Sequence, residues 1–183
     1  MIVILFFDFE VFKYDWLVVL IDPSKKQITE IVNNPEQLSH FYEENKNDIW
    51  VGFNSRHYDQ YILKAILLGF DPYKVNDWII VKGKDGWQYS SLFRKIPLNN
   101  YDVMTGVDRG LKWFEGSMGS MIKESSVDFR IQRKLTEAEI QETLKYCRHD
   151  VEETIKVFLK RIDDFNAHLG LVKLACEGQG LDL

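Results

Sequence analysis

The first twelve residues, Met1–Phe12 (MIVILFFDFEVF), decide the fold of this chain. Two carboxylates, Asp8 and Glu10, interrupt this run of large apolar and β-branched residues. In an extended strand successive side chains alternate between faces, so positions 8 and 10 share one face while Phe7 and Phe9 point to the other. A strand with so many apolar neighbours is expected at the buried centre of a sheet.

Two like charges about 7 Å apart on one face of a strand are costly unless a positive group lies between them. Carboxylate oxygens are the ligands that Mg²⁺ and Mn²⁺ prefer, so Asp8 and Glu10 indicate a metal site. From this stretch alone, the alternative is an edge strand whose acids face water.

The length and composition indicate one globular domain. The 183 residues suffice to bury a substantial core, so we expect a single domain over residues 1–183. The apolar residues before Asp8 are too few for a signal sequence or a membrane span, which predicts a cytoplasmic protein without a membrane partner. Cys147 and Cys176 form neither a disulfide framework nor a zinc spacing.

The charge is unevenly distributed. A net charge of −5 argues against a protein that simply coats nucleic acid. Residues 71–134, however, carry 11 basic and 8 acidic side chains between two acidic flanks. This balance suits an enzyme whose acids hold cations while another segment touches phosphates, although a solvated surface gives the same pattern.

Turn residues and apolar periodicity predict an α/β order of elements. An opening meander of three strands leads through Asn34-Pro35, a helix start, into a helix and a short strand. Asp59 follows that strand and a polar loop, near the N-terminus of the next helix. The predicted segments are strands from position 1 to 12, Trp16–Ile21, Gln27–Val32 and Ile49–Phe53, and helices Glu36–Asn45 and Gln60–Leu68.

The middle of the chain gives weaker signals. Asp71-Pro72 predicts a short helix through Ile80. Lys84–Gly86 predicts a turn, with Trp87–Tyr89 as one arm of a hairpin. Leu98–Met104 predicts a further strand. The aromatic residues here, beside basic ones, suit stacking on the bases of a single strand, and they equally suit packing in a core or hairpin. The basic residues are Lys82, Lys84, Arg94 and Lys95.

The final third is predicted to be helical. A short helix begins over Gly110–Phe114, and Thr136 with Glu139 forms a capping box. An apolar stripe then runs from Ile140 to Phe165 at steps of three and four, which predicts one long amphipathic helix or two in succession. Tyr146 and Asp150, four residues apart, are neighbours on an adjacent face of this helix.

Acidic residues thus recur at element ends or faces that are able to meet. Asp8, Glu10, Asp59 and Asp150 together suffice to hold two divalent cations, and paired cations roughly 3.5–4 Å apart can clamp the attacking and leaving oxygens of a phosphoryl transfer. A tyrosine one helical turn from Asp150 is able to hold the attacking water.

The motifs resemble those of a known enzyme family. Asp8–Glu10 (DFE) looks like the first motif, D-x-E, of the DnaQ-like (DEDD) 3′→5′ exonucleases. Asn54–Asp59 (NSRHYD) matches the second, N-x3-(F/Y)-D, and Tyr146–Asp150 (YCRHD) matches the third, Y-x3-D, of the tyrosine (DEDDy) subgroup. The histidine subgroup needs His at position 145, where this chain has Lys, so His149 is expected to be a neighbour of the site. The sequence as a whole is similar to the proofreading exonuclease domains of phage DNA polymerases.

The resemblance implies an RNase H-like fold: a mixed central sheet with its first three strands antiparallel, flanked by helices. It also implies two Mg²⁺ or Mn²⁺ ions. Asp8 would bridge both ions, Glu10 and Asp150 would complete the first site, and Asp59 would support the second through water.

The resemblance further implies the roles around the substrate. Tyr146, with Glu10, would orient the nucleophilic water, and Asn54 and Phe9 would contact the strand near its 3′ end. The expected reaction is hydrolysis of single-stranded DNA from the 3′ end to 5′-mononucleotides, with RNA as an alternative substrate.

The family relation leaves the biological setting open. Replicative polymerases of this kind carry a polymerase domain after the exonuclease, whereas this chain ends soon after its third motif. We therefore expect a stand-alone exonuclease, a split subunit that proofreads for a polymerase in DNA replication, or an excised domain, with 171–183 as a docking tail or truncated junction. An idle, polymerase-binding subunit is a further alternative, which the presence of all four acids disfavours.

Overall fold

A five-stranded mixed sheet forms the centre of the protein. The structure is a computed structural model that describes residues 2–104, 106, 109–119 and 124–178, without the side chains of 175–177. Predictions on Cys176 and on 179–183 lie outside the described residues. The strands are β1 (Ile4–Val11), β2 (Trp16–Asp22), β3 (Gln27–Val32), β4 (Ile49–Gly52) and β5 (Asn99–Asp102), in the sheet order β3-β2-β1-β4-β5.

The strand directions confirm the predicted α/β architecture with RNase H-like topology. β1, β2 and β3 form an antiparallel meander, while β4 runs parallel to β1, and β5 parallel to β4. The carboxyl ends of β1, β4 and β5 therefore lie at one edge of the sheet, where open α/β sheets bind ligands. β4 and β5 are shorter than predicted because the chain leaves the sheet at Gly52 and at Asp102.

Helices cover both faces of the sheet. They are α1 (Pro35–Asn45), α2 (Asp59–Leu67), α3 (Pro72–Asn76), α4 (Leu111–Ser117), α5 (Glu137–Lys160) and α6 (Ile162–Gly178). The apolar stripe after Ile140 thus forms two helices in succession, with the break at Arg161. Among the described helices, none is long and apolar enough to cross a membrane.

The alternation in β1 sorts its side chains between two cores, as predicted. Phe7 and Phe9 pack into the core beneath α1 and α2. Phe6 belongs to the other core, where its ring meets Phe158 of α5 edge to face at 5.2 Å. Asp8 and Glu10 have the parity of Phe6 and therefore lie on the α5 side of the sheet.

Side-chain caps mark the starts of α1 and α5. The Asn34 side chain accepts a hydrogen bond from the Gln37 amide at the start of α1. Thr136 and Glu139 form the predicted capping box at the start of α5. Each of these bonds satisfies an amide that would otherwise lack a partner in the first helical turn.

The predicted hairpin around residues 84–89 is wrong. Helix α3 continues into a π-helical turn, Asp77–Val81. Gly86–Gln88, where the hairpin was expected, is a 3₁₀ turn. Gly86 packs so closely on Tyr61 that an added Cβ would lie 2.2 Å from its ring. Aromatic packing, rather than strand pairing, therefore sets the backbone here.

Candidate metal centre

The carboxylates of β1 lie under helix α5. Asp8 is partly exposed and Glu10 is buried. The Cys147 thiol of α5 donates to the backbone oxygen of Asp8 at 3.3 Å and approaches its Oδ2 at 3.6 Å. One ligand atom from each of these three residues lies within 4.8 Å of the others. The first and third sequence motifs therefore meet in the fold.

Asp59 brings the second motif to the same place. It is the first residue of α2, is 2% exposed, and accepts a hydrogen bond from the Phe9 amide through Oδ1 at 2.9 Å. This bond crosses fifty residues of chain and fixes the carboxylate beside the strand between Asp8 and Glu10.

The placement of Phe9 corrects one prediction. Its ring is 3% exposed and packs between Phe7 and Trp16 in the core. Odd positions of β1 face away from α5, so the side chain is not accessible to a substrate. Only the backbone at position 9 is available for such a contact.

Asp102, which the sequence placed in a strand without a role, holds the loop before Asp59. Its carboxylate accepts from the amides of Asn54 at 2.9 Å, Arg56 at 3.0 Å and Met104 at 2.9 Å. Asp102 is buried at the carboxyl end of β5. The predicted strand Leu98–Met104 contained this acid, but its partners depend on the strand order β1-β4-β5.

The turn that carries Asn54 is tightly constrained. Asn54 has a φ of 58°, in the left-handed region that Asn tolerates better than most residues. A Cβ at Gly52 would lie 2.6 Å from the Ser55 Cβ, so the loop requires glycine there. Asn54 is partly exposed at the same sheet edge as the carboxylates. Its predicted contact with the substrate strand stays a prediction.

The third motif places Tyr146 and Asp150 on neighbouring turns of α5. Asp150 is 8% exposed, and Tyr146 is partly exposed. The Lys112 ammonium of α4 bonds Asp150 Oδ1 at 2.8 Å and lies 4.9 Å from the centre of the Tyr146 ring. Sequence reasoning missed Lys112, because nothing local to α4 shows which acid it will meet.

A second ion pair supports this lysine. The Lys112 ammonium lies 3.4 Å from Glu115 Oε2, and His149 Nε2 is 2.8 Å from Glu115 Oε1. Glu115 is fully buried. His149 is thus a neighbour of the carboxylate group, as predicted, and is joined to Asp150 through Glu115 and Lys112.

Burial and mutual repulsion dominate the electrostatics. Burial, with the Asp59, Glu10 and Asp150 charges, raises the pKa of Asp8, and burial with Asp150 and Asp59 raises that of Glu10. Burial raises the pKa of Asp59 to about 7, although its hydrogen bond from Phe9 opposes the change. Burial also raises the pKa of Asp150, against the lowering effect of its bond to Lys112.

The donor chemistry fits hard divalent cations. Burial raises the pKa of the Cys147 thiol, so at neutral pH the sulfur is protonated and is a poor ligand. The remaining donors are carboxylate oxygens, whose mutual repulsion a cation would relieve. Oxygen donors of this kind are the ones that Mg²⁺ and Mn²⁺ prefer, and Lys112 supplies part of the charge that compensates Asp150.

Sequence comparison adds no family assignment. No model of a known protein family matches the chain, and no curated protein matches it either.

Proposed function

We propose that this chain is a metal-dependent 3′→5′ exonuclease that hydrolyses single-stranded DNA to 5′-mononucleotides. The observation that supports this proposal most is the convergence of the three motifs. The Phe9 amide of the first motif donates to Asp59 of the second at 2.9 Å, and the Cys147 thiol of the third donates to the backbone oxygen of Asp8 at 3.3 Å. These contacts bring segments of the three motifs to the carboxyl edge of the sheet, which supports a joint role for their acids and for Tyr146. This proposal rests on geometry and on the motif resemblance.

Asp8, Glu10, Asp59 and Asp150 would hold two Mg²⁺ or Mn²⁺ ions. Bound in pairs, such ions activate a water and stabilise the charge that develops on the phosphate. The charges of Asp59, Glu10 and Asp150 all raise the pKa of Asp8, and a bound cation would relieve this repulsion.

The Tyr146 hydroxyl is suited to orient the attacking water. Burial and the Asp150 carboxylate raise the pKa of its phenol, so the hydroxyl keeps its proton at neutral pH. A protonated hydroxyl both donates and accepts hydrogen bonds. Together with the acceptor oxygens of Glu10 it would hold the attacking water in line with the phosphorus.

The direct test uses a 5′-labelled DNA strand with Mg²⁺ or Mn²⁺. The wild-type protein is expected to give a ladder that shortens from the 3′ end, and Asp8→Ala is expected to give none while its circular dichroism and thermal unfolding stay those of a folded protein. Glu43→Gln, an exposed acid of α1, is the matched control and should cleave as the wild type does. Metal-dependent shortening retained in Asp8→Ala overturns the proposal.

The preference for DNA is measured with paired DNA and RNA strands of identical sequence. Recognition of a 2′-hydroxyl depends on the shape of the pocket around the terminal sugar. Faster shortening of the RNA strand would replace DNA by RNA as the proposed substrate and leave the metal chemistry unchanged.

A further inference from the structure

A cleft lies between the end of the loop after β1 and the segment that follows α2. It has a volume of about 770 Å³ and is lined by aromatic and basic side chains. The side chains that matter here are Lys13, Tyr14, Tyr73, Lys74, Trp78 and Lys82. The chain segment involved includes the π-helical turn Asp77–Val81, an irregularity common at functional sites.

Two connections tie this cleft to the site. Lys13 follows Glu10 by three residues, so the chain leaving β1 passes from the carboxylates to the cleft within about 10 Å. The Tyr58 hydroxyl, next to Asp59 in sequence, donates to Asn76 Oδ1 at 2.7 Å, and Asn76 immediately precedes the π-helical turn. A strand that ends at the carboxylates can therefore continue along the cleft.

The aromatic groups are presented to solvent. Tyr14 is 51% exposed, and the Lys13 ammonium lies 5.4 Å from the centre of its ring. Trp78 is partly exposed, with the Lys84 ammonium 4.2 Å from its ring. The Trp78 indole donates to the Asp85 backbone oxygen at 3.0 Å, which fixes the orientation of the ring. An aromatic face beside an ammonium group matches a nucleobase beside a backbone phosphate.

The balance of charge favours an anion. The cleft is lined by three lysines and by two acids, Asp71 and Asp77. Asp71 is engaged as the cap of α3, accepting from the Tyr73 amide at 2.9 Å, and Asp77 pairs with Lys82 at 3.4 Å.

We propose that this cleft binds the single-stranded part of the nucleic acid just upstream of the 3′ end, stacking bases on Tyr14 and Trp78 and pairing phosphates with Lys13, Lys74 and Lys82. The inference rests on the proposed function, because it assigns the path of the same substrate. Stacking on rings and pairing with phosphates carry little sequence information. The cleft therefore recognises single-stranded nucleic acid and does not distinguish one base sequence from another.

The test measures binding of single strands by a protein that does not hydrolyse them. Fluorescence anisotropy follows labelled oligothymidylates, on the order of 4 and 16 nucleotides long, on the Asp8→Ala protein in EDTA. Tyr14→Leu is expected to weaken binding of the longer strand about fivefold or more, whereas Tyr14→Phe, which keeps the ring, should restore it. Lys82→Gln should reduce the steepness of the salt dependence by about 0.7 in the log–log slope.

Lys46→Gln is the control for charge. Lys46 pairs with Glu43 at 2.7 Å, as Lys82 pairs with Asp77, but it follows α1 at the opposite edge of the sheet. Binding by Tyr14→Leu and Lys82→Gln that is as tight as binding by Lys46→Gln overturns the inference.

The two proposals fail separately. Metal-dependent shortening by the wild-type protein, together with unchanged binding in the cleft variants, removes the cleft and leaves the exonuclease. Weakened binding in those variants, with no hydrolysis of any strand, supports the cleft as a nucleic-acid surface and removes the exonuclease.

Discussion

Replacing Asp59 by Asn is expected to stabilise the metal-free protein at alkaline pH. Asp59 is 2% exposed, and burial raises its pKa from 3.8 to about 7. Because the folded pKa lies above the unfolded one, the stability linked to this carboxyl is fully present below pH 3.8 and is lost as the pH rises through about 7. The folded protein therefore carries an unfavourable charge at pH 8 that Asn would remove.

The size of the effect follows from proton linkage. A pKa that differs between 3.8 in the unfolded chain and about 7 in the folded one corresponds to roughly 4 kcal/mol between strongly acidic and alkaline conditions. Asn retains the Oδ1 acceptor for the Phe9 amide, so the local hydrogen bond survives. The variant is expected to gain a few kcal/mol over the wild type at pH 8 (on the order of 2–4) and almost nothing near pH 4.

Urea unfolding in EDTA, followed by circular dichroism at both pH values, measures this difference. Glu43→Gln, which removes an exposed acid, should show no comparable dependence on pH. Saturating Mn²⁺ should then narrow this difference at pH 8, because the wild type gains about 2.7 kcal/mol at one hundred times the dissociation constant and the variant, which has lost a ligand, gains less. An Asp59→Asn protein that is no more stable than the wild type at pH 8 without metal would refute the reasoning.

Three further variants probe the rest of the site. Tyr146→Phe should lower kcat on the order of 10²-fold and leave the Mn²⁺ affinity unchanged in calorimetry, since the hydroxyl orients water; equal rates for the two proteins would remove Tyr146 from the mechanism. Lys112→Met removes the 2.8 Å ion pair with Asp150. The variant should bind Mn²⁺ about tenfold more tightly, because the ammonium no longer competes for the carboxylate. An unchanged affinity would contradict this. Asp102→Ala deprives three amides of their acceptor and should cost about 3 kcal/mol of unfolding free energy together with activity, and a fully stable variant would count against its positioning role.

Local patterns in the sequence were enough for the elements that build the site. The alternation in Met1–Phe12 predicted that Asp8 and Glu10 share a face opposite Phe7 and Phe9, and the two cores confirm it. The capping box before α5 and the spacing of Tyr146 and Asp150 depend only on residues within one or two helical turns. Side-chain alternation and hydrogen bonding of a first helical turn are local properties, so the sequence shows them directly.

The segment between residues 71 and 95 was not predictable in the same way. The chain forms 3₁₀ turns where the hairpin was expected, because Gly86 packs against Tyr61 and the rings of Tyr89 and Phe93 stack at 6.0 Å. The helix predicted through Ile80 ends at Asn76 and continues as a π-helical turn. Which aromatic residues meet is decided by the packing of α2 and α3.

The sequence by itself determined which residues are chemically able to hold cations and on which strand or helix face each one lies. Only the tertiary structure decided that Asp59 is anchored by the Phe9 amide, that Asp102 holds the Asn54 loop, and that Lys112 meets Asp150. These contacts join residues 38 to 50 positions apart. They depend on strand order and helix placement, which arise from burying two apolar faces at once, and no local pattern encodes which distant partner will complete a buried polar group.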